Sequence, residues 1–316
     1  MRIGFSMCPP ENVPAGGGAK FVLGFKDFLI ERGHKVEFGL DLKNPPDLIF
    51  MFDPRHLGYS RNWLTIQHIR QLQDDLGVSI PIVHRMNDIG APKDRPPSYV
   101  SDMIELANRS KHVVFISDWL REYYEKKGKI STNADIIYNG VDKETFFPKK
   151  YDFDGKVKLV THHWSNNFLK GWDIYKKIDE WLEGQHDVEF TFIGNVAKDV
   201  QLKNSTVIQP LSSKPLAEEL RKHNVYITAS RSEPCGMHHI EGIASGLPIL
   251  YHKEGGGIVE AGEKYGLGFE NFEDFKSNVE EIRQKHKKYY NKIIDEFDNY
   301  AENIYKKYYN IIEGAI

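Results

Sequence analysis

The chain is nearly free of cysteine. Cys8 and Cys235 are the only two in 316 residues. They stand far apart and form no CxxC pair, so nothing points to a disulfide scaffold or a zinc–thiolate site. A reducing, cytoplasmic setting is the expectation. No run approaches the ~20 apolar residues that a membrane-spanning helix needs. The start, Met1–Met7, is too short for the apolar core of a signal peptide and reads as a strand. Positive charge is not in excess either. The net charge is −3, which leaves no broad basic surface for nucleic acid or an anionic membrane. A GxGxxG fingerprint and a P-loop Lys-Ser/Thr are missing, as are low-complexity tracts and short repeats.

What is present suits a two-domain α/β protein. A chain of this length with 40% apolar residues can fill two cores of roughly 150 residues each. Strands and helices alternate, which favours parallel sheets with helices on both faces. Strands are predicted at Arg2–Ser6, Val36–Phe38, Leu48–Phe52, Ile80–Val83 and Val113–Ile116. An amphipathic helix is predicted over Gly18–Arg32, and another after Ser117, a good N-cap. The polar stretch Lys143–Lys156 reads as a linker. The second half restarts with strand Val157–Thr161 and continues with strands Val188–Ile193, Val225–Thr228 and Pro248–Tyr251. From about Phe272 onward the chain reads as helical. Tyr290, Ile294, Phe297, Tyr300 or Ala301, Ile304, Tyr308 and Ile311 are spaced as one apolar stripe of a terminal strap. The predicted domains are 1–145, 146–290 and a terminal helix over 291–316.

The most informative stretch runs from Ser232 to Ile249. It holds two carboxylates, Glu233 and Glu241, eight positions apart. Glu233 follows a buried strand, at the edge where open α/β sheets hold ligands. Gly236 and Met237 then open a helix whose free N–H groups suit a phosphate. A carboxylate for sugar hydroxyls beside amides for a diphosphate suggests a sugar-nucleotide site. Gly16-Gly17-Gly18 lies between the first strand and the first helix and lets backbone approach a ligand closely. Lys170-Gly171 offers a compact cation in the loop after the strand that opens the second half. His84-Arg85-Met86-Asn87-Asp88 forms a polar cluster at a strand end, and Glu254–Glu260 is a glycine-rich loop.

Together these segments resemble retaining family 4 glycosyltransferases, most strongly at the Glu-x7-Glu segment and the Gly-Gly-Ile-x-Glu loop, and more faintly over residues 50–110. The resemblance implies a GT-B fold, two Rossmann-like domains facing across a cleft, with the terminal helix returning to the first. It implies transfer of a sugar from a nucleotide-diphosphate-sugar donor to a glycan, lipid-linked or other hydroxyl acceptor, with retention and without a cofactor or metal. Glu233, Lys170 and His84 would take the catalytic roles. Gly17, Gly18, His163, Gly236, Met237, His238 and Glu241 would hold the donor, and Arg85, Asn87 and Asp88 the acceptor. Asp88 would also be the one candidate base for an inverting alternative. One departure stands out: the family carries an arginine several residues before the lysine. Here Thr161-His162-His163-Trp164 stands instead, so His162 or His163 is a candidate replacement. Asp152-Phe153-Asp154 matches a metal-binding DxD pattern, but it sits in the linker and is discounted. Two other readings remain open: a sugar-nucleotide epimerase of the same fold, and a non-catalytic nucleotide-sugar-binding partner subunit.

Overall fold

A computed structural model of the chain describes residues 1–9, 17–41, 43–53 and 64–316. The described residues group into two compact units. One joins Met1–Asn139 with Ala301–Ile316, and the other is Gly140–Tyr300.

The first unit is built on strands β1 (Arg2–Phe5), β2 (Lys35–Phe38), β3 (Leu48–Met51), β4 (Ile82–Met86), β5 (His112–Phe115) and β6 (Ala134–Ile136). They pair in the order β2-β1-β3-β4-β5-β6, all parallel. Parallel sheets are covered on both faces, so their central strands are apolar throughout. Leu48-Ile49-Phe50-Met51 is buried at every position. Helix α1 (Gly17–Glu31) turns Phe21, Val22, Phe25, Phe28 and Leu29 inward. Helices α2 (Ile66–Arg70), α3 (Tyr99–Arg109) and α4 (Asp118–Glu125) complete the connections. Ser117 caps α4 as its sequence predicts, its hydroxyl accepting the Leu120 N–H at 3.1 Å.

The second unit repeats the plan. Strands β7 (Val157–His163), β8 (Val188–Gly194), β9 (Thr206–Ile208), β10 (Val225–Thr228), β11 (Ile249–His252) and β12 (Gly266–Phe269) lie in the order β12-β11-β10-β7-β8-β9, again all parallel. Helices α5 (Trp172–Trp181), α6 (Ser213–Leu220), α7 (Met237–Ala244), α8 (Ile258–Tyr265) and α9 (Phe272–Glu296) flank it. One core joins Leu159, Tyr175, Phe190 and Phe192 to Phe275, Val279 and Ile282 of α9.

Three features differ from the sequence expectation. The strand β4 runs on through Met86, so His84 and Arg85 lie inside it rather than beyond its end. The short strand β9 and the helices α3 and α8 are additions to the sequence reading, although α3 buries Tyr99, Met103, Leu106 and Ala107 at helical spacing. The terminal helical region is two helices, not one. After α9 the chain turns extended at Phe297, and α10 (Ala301–Ala315) follows. Between them the Asn299 carbonyl accepts the Val141 N–H at 3.0 Å, and Tyr300 bridges Val141. The apolar stripe therefore serves two cores. Ile293 is buried in the second unit while Ile294 points outward, 47% exposed. In the first unit Ile304, Tyr308 and Ile312 pack on α1, with the Tyr308 ring 4.9 Å from that of Phe21.

Candidate functional site

In the second sheet β7 and β10 are neighbours, and their connections leave in opposite directions, β7 toward β8 and β10 toward β11. Open α/β sheets bind ligands outside the carboxyl ends of the strands at such a switch point. The loop after β7 carries Lys170, and the loop after β10 carries Glu233.

The structure brings these two together, with Lys170 Nζ 2.8 Å from Glu233 Oε2 and both side chains 15% exposed. Local chemistry fixes each one. Asn167 caps the short turn Phe168–Lys170 through the Leu169 N–H at 2.9 Å. Gly171 follows at φ 84°, where a Cβ would lie 2.2 Å from the Ala229 carbonyl oxygen, so glycine is obligatory beside the lysine. Glu233 is clamped by the loop that begins at Glu254. Its N–H donates to the Gly255 carbonyl at 3.1 Å, and its carbonyl accepts the Gly257 N–H at 2.8 Å. Gly256, at φ 70°, sits so close that a Cβ would meet the Glu233 carbonyl oxygen at 2.7 Å. The glycine-rich loop thus holds the carboxylate from behind, and Glu260 lies in the first turn of α8.

Gly236 is the N-cap residue of α7 and supplies no side-chain cap, which leaves the N–H groups of the first turn for a ligand. Within the same helix Glu241 is 3% exposed. Its Oε2 lies 2.8 Å from His162 Nε2, and His162 Nδ1 lies 3.1 Å from the Tyr226 hydroxyl. The same hydroxyl accepts the His162 backbone N–H at 3.2 Å. All groups are satisfied when Tyr226 donates to Nδ1 and Nε2–H donates to the carboxylate. Glu241 is therefore aimed by a buried chain of two residues.

His163 turns inward, its Nε2 2.6 Å from the Tyr175 hydroxyl. His238 is buried too, its Nε2 3.1 Å from Thr228 Oγ1. Burial, and then the positive charge of Lys170, holds the His163 pKa well below the usual imidazole value. Burial and the neighbouring His163 do the same for His238. The His163 and His238 rings are 4.8 Å apart. Of the two candidates for the place of the family's arginine, His162 is hydrogen-bonded to Glu241 and His163 to Tyr175, and burial keeps His163 neutral. The loops do contain a cation that sequence reasoning passed over. Arg231 grips Asp173 through two 2.8 Å bonds, approaches Glu254 at 3.3 Å, and donates its backbone N–H to the Leu169 carbonyl at 2.8 Å. It staples both site loops together. Its only sequence signal is its position just ahead of Ser232-Glu233.

In the first unit Gly17 and Gly18 open α1, while Gly16 lies outside the described residues. A Cβ on Gly18 would come within 3.4 Å of Asn87 Nδ2. His84 is fully buried, and burial pulls its pKa down to about 3 against the opposing effect of the Phe52 backbone. Arg85 donates from Nη2 to Asn139 Oδ1 at 2.6 Å and lies over the Phe21 ring. Asp88 is engaged by cations, with Arg95 Nε at 2.8 Å and Lys93 Nζ at 3.5 Å, so it holds the following loop together. Asp152 pairs with Lys149 at 3.0 Å, and Asp154 accepts the Lys156 N–H at 3.0 Å. No group of three metal-ligating side chains occurs among the described residues, and no described helix is long and apolar enough to cross a membrane.

Residues 176–307 match the profile of glycosyl transferases group 1. An uncharacterized glycosyltransferase of Methanocaldococcus jannaschii is 24% identical over 188 residues, which is 56% of this chain. The match spans 48%, about half, of that relative's length. Sucrose-phosphate synthase of Thermosynechococcus elongatus superposes with a TM-score of 0.75 at 13% identity, over 99% of this chain and 98% of its own. HepE of Anabaena, solved with UDP and glucose, gives 0.71 at 16% identity, over 99% and 100%. Two parallel six-stranded sheets with these structural neighbours make the fold GT-B, and the match to glycosyl transferases group 1 covers residues 176–307 of it.

Proposed function

We propose that the protein transfers a sugar from a nucleotide-diphosphate donor to an acceptor hydroxyl, with retention of anomeric configuration. The observation that carries this reading is the group of Lys170, Glu233, Glu241 and the open start of α7 at one switch point. The second unit would hold the donor, with Glu241 accepting hydrogen bonds from the ribose and the α7 amides facing the diphosphate. HepE is solved with UDP, which supports a uridine nucleotide as the first donor to test. As the bond from the sugar carbon to the diphosphate breaks, charge grows on the leaving oxygen. Lys170 and the fixed amides would stabilise that charge. The acceptor oxygen then bonds to the same face of the sugar, and its proton passes to the leaving phosphate. No side chain has to act as the base.

The direct test is a panel of UDP-sugars, each followed by thermal shift and then by product analysis with and without EDTA. An α-linked donor is expected to give an α-linked product, and EDTA to leave the rate unchanged. Proton NMR of the new anomeric signal decides the stereochemistry. A large diaxial coupling from a gluco-configured donor would mean inversion and refute same-face attack.

Glu241→Ala is expected to weaken UDP binding by roughly 1.5–3 kcal/mol, the usual loss for hydrogen bonds to a charged group. Glu241→Gln should lose less, because the amide oxygen still accepts from the ribose. Calorimetric titration with UDP reads both. Wild-type affinity in a folded Glu241→Ala protein would remove Glu241 from the donor site.

A further inference from the structure

The end of β4 holds a buried charge that the described residues of the fold leave unpaired. Arg85 is 1% exposed, yet its hydrogen bonding stops at Nη2 and Asn139. Nε and Nη1 are buried with no partner, and no carboxylate pairs with the guanidinium. Its remaining contact is the Phe21 ring, 4.1 Å from Cζ. A cation over a ring offsets only part of the cost of burying an unpaired charge.

The surroundings are those of an anion site. Side chains on a helix lean toward its N-terminus, so the Phe21 ring, and the guanidinium over it, lie beside the first turn of α1. That turn starts at Gly17 and contains no acidic residue, and a helix start carries partial positive charge. Asn87 stands two residues along from Arg85 and touches the Gly18 position. Its Oδ1 is also buried without a partner. The unused donors on Arg85 call for an anion, and the unused acceptor on Asn87 calls for a hydroxyl.

We infer that the acceptor carries a phosphate or carboxylate close to a hydroxyl group, with Arg85 as its counterion and Asn87 as its hydroxyl partner. This deepens the proposed function and rests on its assignment of the acceptor to the first unit. Glucose 6-phosphate, glucuronate and neutral glucose serve as probes by thermal shift, with UDP at saturation to occupy the donor site, and again without UDP. One or both charged sugars are expected to raise Tm by about 2 °C or more at tenfold excess over Kd, and glucose to raise it little. The larger shift tells phosphate from carboxylate. Arg85→Met should abolish the shift while leaving the UDP dissociation constant within about threefold, below half a factor of ten in binding. Arg85→Lys, which keeps the charge, covers a failure of the first variant to fold and should retain part of the shift. The inference is overturned if neither charged sugar shifts the wild type, if the shift survives in Arg85→Met, or if that variant loses UDP affinity about tenfold, which would make Arg85 a donor group. UDP binding to the wild type alone tests the second-unit site separately.

Discussion

Lys170→Ala is expected to lower kcat by roughly a hundred- to a thousandfold, the usual cost of removing one fixed donor to a transition-state charge. The ion pair with Glu233 complicates that result in a useful way. A lysine that merely neutralised the carboxylate would be dispensable once the carboxylate was gone. The double variant Lys170→Ala/Glu233→Gln would then recover much of the lost rate. If Lys170 balances the leaving diphosphate, the double variant stays as slow as the single one, and Lys170→Gln is equally poor. Single-turnover rates with UDP-glucose, or whichever UDP-sugar the panel selects, separate the two cases. An unchanged kcat for Lys170→Ala would move the lysine out of the chemistry altogether.

The second large effect concerns acid. His84, His163, His238 and His239 are buried and neutral, with burial the leading cause each time. The pKa of His84 falls to about 3 and that of His239 to about 4, while those of His163 and His238 lie well below 6.5. The unfolded chain takes up these protons below about pH 6.5. The folded chain does not, so acid favours unfolding. Stability is complete above pH 6.5 and falls as the pH descends toward 4 and then 3, where the native histidines finally titrate. The slope is about 1.4 kcal/mol per pH unit for each histidine. Four such groups reach the scale of a domain's whole stability, about 5–15 kcal/mol, within two or three units. Melting curves at pH 7, 6 and 5 should show a steep, progressive fall, and His239→Leu should flatten it. Equal melting temperatures at pH 7 and 5 would mean that these imidazoles are not held neutral.

The alternation of strands and helices, the two halves and the Glu233–Glu241 segment were all readable in the sequence, because each is a local pattern. The pairing of Lys170 with Glu233 was foreseen only as proximity to one ligand. The strand order that makes them neighbours is a long-range fact. The same limit hid the chain from Tyr226 through His162 to Glu241, whose members lie 64 and 79 positions apart. It also hid Arg231, which looks like an ordinary loop arginine until Asp173 and Glu254 are placed around it. His162 and His163 illustrate the limit best. They are adjacent in sequence and both candidates for one job, yet strand alternation sends one to Glu241 and the other to Tyr175. The break between α9 and α10 was invisible because the apolar spacing continues through it. The stripe records burial and does not say in which core.

That break bears on how the protein is made. The first unit is written in two pieces, and the second piece is translated only after the whole of the second unit. Until α10 emerges, the rings of Phe21, Phe25 and Phe28 have no Tyr305 or Tyr308 to meet. The second unit is continuous in sequence and can complete its sheet while the first still waits. Synthesis from the N-terminus normally lets the leading domain fold first. Here the leading unit cannot complete its core until α10 follows, so its aromatic face stays half-covered while the second unit is translated.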